Sequence, residues 1–167
     1  MVPWALDGLD PGEDVLELGP EPGLTTDVLR ERAARLTAVE IDPRLASSLQ
    51  ERMKNTNVEV VEADATAMPF PDGSFPAILS FTMLHHVPSV TPQNQLLAEA
   101  WRVLRTGSVF AGSDTALGAL LQLAQIGDTM VPVDPATLGQ RLKTAGFDEV
   151  EVKKRLGEFR FRAIRAP

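Results

Sequence analysis

Three acidic residues within the first 64 positions stand where short apolar segments end. Glu17 and Glu40 lie at the ends of two such segments, and Asp64 follows a third. In nucleotide-binding folds, a carboxylate about 20 residues beyond a glycine-rich turn accepts hydrogen bonds from ribose hydroxyls. Glu40 has this spacing from the glycines that precede it. We therefore expect the three carboxylates to converge on a ligand that contains a ribose.

The glycines belong to the segment Gly19-Pro20-Glu21-Pro22-Gly23, which follows the first apolar run. Glycine lets a backbone approach a ligand closely, and the N-terminus of a following helix offers unpaired amides to a negative group. The dinucleotide fingerprint requires the spacing G-x-G-x-x-G, which is not present here. The segment predicts a ligand-binding loop and disfavours NAD as the ligand.

His85 and His86 are the only two histidines, and they follow the fourth apolar segment. A neutral imidazole can accept a proton near pH 7. Either histidine is thus a candidate general base in a reaction that releases a proton. The alternative, which we favour, is a structural role in packing and hydrogen bonding.

Hydrophobic periodicity predicts the elements that must position these groups. Apolar runs bounded by turn residues indicate buried strands at 15–18, 36–41, 58–61, 77–81 and 108–112. Helical spacing indicates helices at 24–34, 43–53, 96–104 and 135–145. We expect Thr25 or Thr26 to cap the first helix and Asp42 to cap the second. Alternating segments at 150–152 and 159–164, joined at Gly157, predict a C-terminal hairpin.

The alternation of strands and helices predicts a doubly wound, Rossmann-like α/β fold. Right-handed crossovers place helices on both faces of a mostly parallel sheet, here of seven strands with an antiparallel C-terminal strand. A chain of 167 residues is the size of one domain, so we expect residues 1–167 to form a single domain. The weakly patterned, apolar segment 115–133 is the predicted substrate cover.

Composition limits the partners. The net charge of −7 opposes binding to a phosphate backbone, so a small molecule is the expected partner and nucleic acid is disfavoured. The absence of cysteine excludes disulfides and thiolate metal sites, and we predict no metal. No run of about 18 apolar residues or targeting segment occurs, so we expect a soluble, cytoplasmic protein. The oligomeric state stays open.

The order of several sequence motifs resembles that of class I S-adenosylmethionine-dependent methyltransferases, particularly their small-molecule branch. The motifs are VLELGPEPG, VEID, VEADATAMPFPDGSF, LSFTMLHHVP and WRVLRTGSVFAG, followed by the hairpin. Each motif alone is loose, but their order is specific and covers nearly the whole chain. The resemblance implies methyl transfer from S-adenosylmethionine to a small-molecule acceptor, with S-adenosylhomocysteine as the product.

The resemblance also implies roles for ten residues in cofactor binding. Glu17 would anchor the methionine amino group, and Glu40 would hold the ribose. Asp64 would accept a hydrogen bond from the adenine amino group. The remaining contacts would come from backbone or packing near the methionine portion, at Gly19, Pro20, Gly23, Ser80 and Phe81, and near the adenine ring, at Ile41 and Ala65.

Two residues depart from the family pattern. Glu21 replaces a glycine whose φ angle is often positive, and a non-glycine residue there costs on the order of 1 to 2 kcal/mol. A carboxylate at this position predicts weaker cofactor binding, unless the flanking prolines direct it into solvent, as we favour. Pro76 replaces a common aspartate, although proline suits only the first residue of a strand. The first predicted strand also begins after only 14 residues, which suggests an open active site.

Two other functions remain as alternatives. The first is an rRNA-adenine-type methyltransferase, which the chain resembles over its first two strands. Ser80-Phe81-Thr82-Met83 differs, however, from the Asn-Pro-Pro-aromatic tetrapeptide of those enzymes. The basic hairpin would then contact nucleic acid, although exposed arginines on a strand are more often simply solvated. The second alternative is a degenerate, non-catalytic cofactor-binding module, suggested by Glu21 and Pro76.

Overall fold

A seven-stranded sheet forms the frame of the protein in a computed structural model that describes residues 2–10, 12–116 and 130–167. The strands are β1 Asp14–Leu18, β2 Arg35–Glu40, β3 Val58–Glu62, β4 Phe75–Phe81, β5 Leu104–Thr115, β6 Glu149–Arg155 and β7 Glu158–Arg165. The strand order is β3-β2-β1-β4-β5-β7-β6, and β7 runs antiparallel to both of its neighbours. The predicted doubly wound α/β fold is therefore confirmed.

The helices pack on both faces of the sheet. They are α1 Val2–Ala5, α2 Leu24–Leu29, α3 Pro43–Arg52, α4 Val90–Val103 and α5 Pro135–Thr144, with a 3-10 turn at Leu84–His86. Side chains alternate across β1, so Val15 packs with α2 while Leu16 and Leu18 pack in the cluster that includes α4. Complete burial of a valine or leucine side chain contributes about 1.5–3 kcal/mol. Apolar packing on both faces of the sheet therefore stabilises it.

The predicted boundaries differ from the structure at two helices. Helix α2 ends at Leu29, five residues earlier than predicted, and Leu24 is 75% exposed. The prediction of Thr25 or Thr26 as its cap is wrong, because Gly23 occupies the cap position with φ 82°. Helix α4 begins at Val90, six residues earlier than predicted.

Pro76 is accommodated by an irregularity in the sheet. It is the second residue of β4, and the pairing of β4 with β5 shifts register between Phe75 and Ala77. Regular ladder hydrogen bonds are interrupted at this point, so the missing N–H of proline costs little there. This departure from the family pattern thus has a local structural explanation.

Most of the predicted substrate cover, 115–133, lies outside the described residues, which stop at 116 and resume at 130. Thr115 ends β5, and Val133 is buried in the core. The backbone N–H of Val131 donates to the carbonyl of His85 at 2.8 Å.

Among the described residues, no helix has both the length and the apolar character needed to cross a membrane.

Arg102 fixes the loop between β3 and β4 onto α4. Its guanidinium donates to Glu99 at 2.7 and 2.8 Å, to Asp72 at 2.8 Å, and to the carbonyls of Met68 and Phe70 at 3.0 and 2.7 Å. Hydrogen bonding to Arg102 lowers the pKa of Glu99 below its usual range. One side chain therefore satisfies several groups of a loop that has no regular secondary structure.

We expect Arg102→Lys to lower the free energy of unfolding by about 2 kcal/mol, because an ammonium cannot replace the planar, multidentate guanidinium. Urea unfolding followed by circular dichroism measures the change. Arg44→Ala, at an exposed position of α3, is the control and should change stability by less than about 0.5 kcal/mol. Equal effects of the two substitutions would contradict this role for Arg102.

Candidate functional site

A cavity of about 580 Å³ lies at the carboxyl edge of the sheet, over the ends of β1, β2 and β3 and beside the segment that follows β4. Ligands of open α/β sheets bind at this edge. Six of the twelve residues predicted for the site line the cavity: Gly19, Glu40, Ile41, Asp64, Ala65 and His86.

Glu40 is the most buried of the described carboxylates that line the cavity. It is 5% exposed, and its two oxygens accept hydrogen bonds from the backbone N–H groups of Asp42 at 2.9 Å and Glu21 at 3.1 Å. Each carboxylate oxygen can accept more than one hydrogen bond. Glu40 is therefore held in one orientation and retains acceptor capacity for a ligand.

The cavity also has an apolar wall beside Glu40. Ile41 is 65% exposed and Leu45 is 37% exposed, and both line the cavity. Asp42 caps α3 by accepting from the N–H groups of Arg44 and Leu45, as predicted. An apolar surface next to a fixed carboxylate fits the flat base and the ribose of a nucleoside.

Asp64 follows β3. One of its oxygens accepts from the backbone N–H of Thr66 at 2.7 Å, which forms a tight turn. Ala65 is buried beside it, and both residues line the cavity. The carboxylate of Asp64 is exposed and keeps a second oxygen for a donor such as an exocyclic amine.

Glu17 lies at the end of β1 but does not line the cavity. It is 1% exposed, and the hydroxyls of Thr25 and Thr26 donate to its two oxygens. These two threonines therefore satisfy Glu17 rather than cap α2. Burial disfavours the charged form and raises the pKa of Glu17 to about 7, although the threonine hydrogen bonds oppose this effect.

Four other residues predicted to contact the methionine portion of the cofactor also do not line the cavity. They are Pro20, Gly23, Ser80 and Phe81. At Gly19, a β-carbon would lie 2.2 Å from Cγ of Met83, so only glycine permits Met83 to pack there. The Oγ atom of Ser80 is buried and has no hydrogen-bond partner among the described residues.

The two histidines occupy different environments. His85 is 5% exposed; its Nδ1 atom is hydrogen-bonded to Asp114 at the end of β5, and its backbone N–H donates to the same carboxylate at 3.2 Å. The pair joins the end of β5 to the 3-10 turn. His85 does not line the cavity, so its position favours the structural role and not the alternative of a general base.

His86 lines the cavity and contacts Glu21. Its Nε2 atom lies 3.0 Å from Oε1 of Glu21, and the two side chains are 40% and 42% exposed. Glu21 has a φ angle of 51°, the left-handed conformation expected for a position that is usually glycine. Its side chain is partly in solvent, as the flanking prolines suggested, but its carboxylate reaches across to His86.

Sequence reasoning missed several residues that line the cavity, among them Leu45, Met83, Val87, Pro92 and Leu96. They are apolar residues on helices and turns, and only packing distinguishes them from core residues. Sequence reasoning also missed Asp114. This residue could have been found as an acid at the end of a strand, which is how Glu40 and Asp64 were identified.

The basic C-terminal hairpin uses its arginines internally. Arg165 donates to the carbonyls of Trp101, Arg102 and Leu104 at the end of α4, at 3.0, 3.0 and 2.7 Å. Arg160 and Arg162 donate to backbone carbonyls within and just after α1. Carbonyls at a helix C-terminus favour cations, so these charges stabilise the fold.

A family profile described as a methyltransferase domain matches residues 16–112. A probable S-adenosylmethionine-dependent methyltransferase of Mycolicibacterium smegmatis is 30% identical over 159 residues, which are 89% of this chain and 56% of that protein. Among solved structures, the DhpI–SAH complex superposes with a TM-score of 0.79 at 24% identity, covering 99% of this chain and 84% of that chain. The superposition shows a shared fold.

Two further relatives match shorter regions. A demethylmenaquinone methyltransferase of Tropheryma whipplei is 33% identical over 103 residues, 60% of this chain and 41% of that protein. An rRNA adenine N-6-methyltransferase of Saccharopolyspora erythraea is 52% identical over 66 residues, 38% of this chain and 17% of that protein. The chain therefore spans between 17% and 56% of the length of these curated relatives.

Replacing Glu17 with glutamine is expected to change the pH dependence of stability. The pKa of Glu17 is raised in the folded state, so between about pH 4.5 and 7 the folded state binds this proton more tightly than the unfolded state does. The free energy of unfolding of the wild type should therefore fall with rising pH through this window, relative to Glu17→Gln, by up to ~3 kcal/mol. Urea unfolding at several pH values measures this difference.

Glu13→Gln, which changes an exposed acid just before β1, is the control and should show no comparable trend. A difference between the wild type and Glu17→Gln that stays constant across the window would contradict the proposed effect of burial.

Proposed function

Because the chain belongs to the class I S-adenosylmethionine-dependent methyltransferases, we propose that it transfers a methyl group from S-adenosylmethionine to a small-molecule acceptor. The observation that carries this proposal is the cavity at the carboxyl edge, where the buried Glu40 carboxylate lies beside an exposed isoleucine. These two features suit a ribose and an attached base.

The ten residues predicted for cofactor binding divide between the parts of the cofactor, and five of them line the cavity: Gly19, Glu40, Ile41, Asp64 and Ala65. Glu40 would accept from the ribose hydroxyls, with Ile41 against the base and Asp64 and Ala65 at the adenine edge. Glu17 would stabilise the methionine amino group, because a buried carboxylate whose charge is disfavoured gains most from a cation. Backbone at Gly19, Pro20 and Gly23, together with Ser80 and Phe81, would complete the methionine portion of the site.

The cofactor supplies an activated methyl group when it is bound, and the chain supplies position. Holding two reactants in a near-attack geometry lowers a barrier by about 7–11 kcal/mol, so methyl transfer does not require a strong base. Where the acceptor must lose a proton, His86 is the histidine that lines the cavity and would receive it.

The charge of the cavity supports a small acceptor that is not anionic. Among the described residues, four carboxylates line the cavity, from Glu21, Glu40, Asp42 and Asp64, and they would repel an anion. Of the basic residues on the C-terminal hairpin, Arg160, Arg162 and Arg165 bind backbone carbonyls. The similarity to a demethylmenaquinone methyltransferase adds a relative whose name specifies a small molecule.

Isothermal titration calorimetry with S-adenosylhomocysteine tests this proposal. We expect the wild type to bind and Glu40→Ala to bind about 10- to 100-fold more weakly, because hydrogen bonds to a charged group are lost. Glu62→Gln is a matched control, since Glu62 is an exposed acid at the end of neighbouring β3 that does not line the cavity. Absence of binding by the wild type at millimolar ligand would instead favour a degenerate module.

An rRNA-adenine-type activity is the second candidate, and the 52% identity over 66 residues favours it. A gel-shift assay with structured RNA at two salt concentrations separates the two candidates. Specific RNA binding should weaken steeply with salt, whereas we expect no shift at either concentration. A salt-sensitive shift at micromolar protein would overturn the small-molecule proposal.

A further inference from the structure

The contact between Glu21 and His86 spans two segments that are distant in sequence. Glu21 lies in the loop between β1 and α2, and His86 lies in the 3-10 turn after β4. Since β1 and β4 are neighbouring strands, the pair stands on the β1–β4 side of the cavity, whereas Glu40 and Asp64 follow β2 and β3. The side-chain contact between Glu21 and His86 therefore involves neither Glu40 nor Asp64, although the backbone N–H of Glu21 donates to Glu40.

Glu21 holds a conformation that costs energy. Its φ angle of 51° disfavours any side chain larger than that of glycine, and strained residues of this kind cluster at functional sites. Two contacts maintain it: its backbone N–H donates to Glu40, and its carboxylate contacts His86. The first contact would form equally with glycine at this position, so only the second depends on the glutamate side chain.

The other carboxylates that line the cavity have different partners. Glu40, Asp42 and Asp64 each accept from backbone N–H groups. Glu21 alone among them is paired with a side chain that can exchange a proton. An imidazole whose Nε2 atom donates to a carboxylate has its proton on that nitrogen, and Nδ1 is then the acceptor.

We propose that Glu21 is a positioning residue that holds the Nε2–H tautomer of His86, so that Nδ1 can take the proton of a protic acceptor such as a hydroxyl or an amine. The proton transfer in this proposal rests on the proposed function, methyl transfer to a small-molecule acceptor. The acceptor atom forms a bond to the methyl carbon as the carbon–sulfur bond breaks and its electron pair stays on sulfur. The proton of the acceptor passes to Nδ1, and His86 becomes a cation beside the Glu21 carboxylate.

Nuclear magnetic resonance of the two histidine rings tests this arrangement without an acceptor. Long-range ¹H–¹⁵N spectra of the labelled protein show both rings, and His86→Gln assigns them. We expect the Hε2 proton of His86 to exchange with solvent about tenfold more slowly in the wild type than in Glu21→Gly, because a charge-assisted hydrogen bond protects it. Glu21→Gln, which keeps an acceptor oxygen without the charge, should give intermediate protection.

The variants are chosen so that folding does not obscure the result. Glycine adopts a φ of 51° without strain, so Glu21→Gly keeps the loop conformation. Glu62→Gln changes an exposed acid at the end of β3 that does not line the cavity, and it should leave the exchange rate of His86 at the wild-type value. Equal rates in the wild type and in Glu21→Gly would overturn the proposal.

Calorimetry with S-adenosylhomocysteine on the same samples separates this proposal from the proposed function. Cofactor affinity should be kept or improved in Glu21→Gly, since a positioning residue for His86 is not needed to hold the nucleoside. Failure of the wild type to bind would refute methyl transfer, while the exchange rates would still decide whether Glu21 holds His86. A loss of affinity above about tenfold in Glu21→Gly would assign the residue to the cofactor instead.

Discussion

The buried carboxylate of Glu40 accepts hydrogen bonds from the backbone of Glu21 and of Asp42, and it thereby joins the loop after β1 to the start of α3. A buried charge without partners would be strongly unfavourable, so these two segments must stay where their N–H groups reach it. One side chain thus fixes the relative positions of two backbone segments that line the cavity. A ligand that binds to Glu40 meets a carboxylate whose orientation is already determined.

The same loop shows how a residue that is locally unfavourable can serve a site. This loop requires positive φ angles, and glycine adopts them without cost at Gly19 and Gly23. Glu21 meets this requirement at a cost of about 1–2 kcal/mol. In return its side chain reaches His86, a contact that glycine could not make.

Buried and half-buried polar side chains elsewhere stabilise the elements around the cavity. His85 and Asp114 join the ends of β4 and β5, and Arg102 fastens the loop that follows Asp64. Arg165 stacks 4.0 Å from the centre of the Trp101 ring and binds the last carbonyls of α4. These groups form their polar contacts within the fold. Among the described residues, the acidic side chains that line the cavity are therefore the ones placed to meet a ligand.

The amino-acid sequence by itself determined the strands, the fold class and the edge of the sheet where the site lies. Apolar runs and periodic helices reflect local burial, and the carboxyl ends of parallel strands meet at one edge whatever the details of packing. For the same reason Glu40 and Asp64 could be placed at that edge without coordinates. The cap of α3 at Asp42 was also predictable, because capping depends on residues adjacent in sequence.

Only the tertiary structure decided which of these residues face the cavity. Thr25 and Thr26 look like helix caps in sequence, yet they bind Glu17, because the chain brings the end of β1 beside the first turn of α2. His85 and His86 are equivalent in sequence, but one is buried on Asp114 and the other meets Glu21. Such pairings depend on contacts between distant segments, and the local sequence pattern carries no information about them.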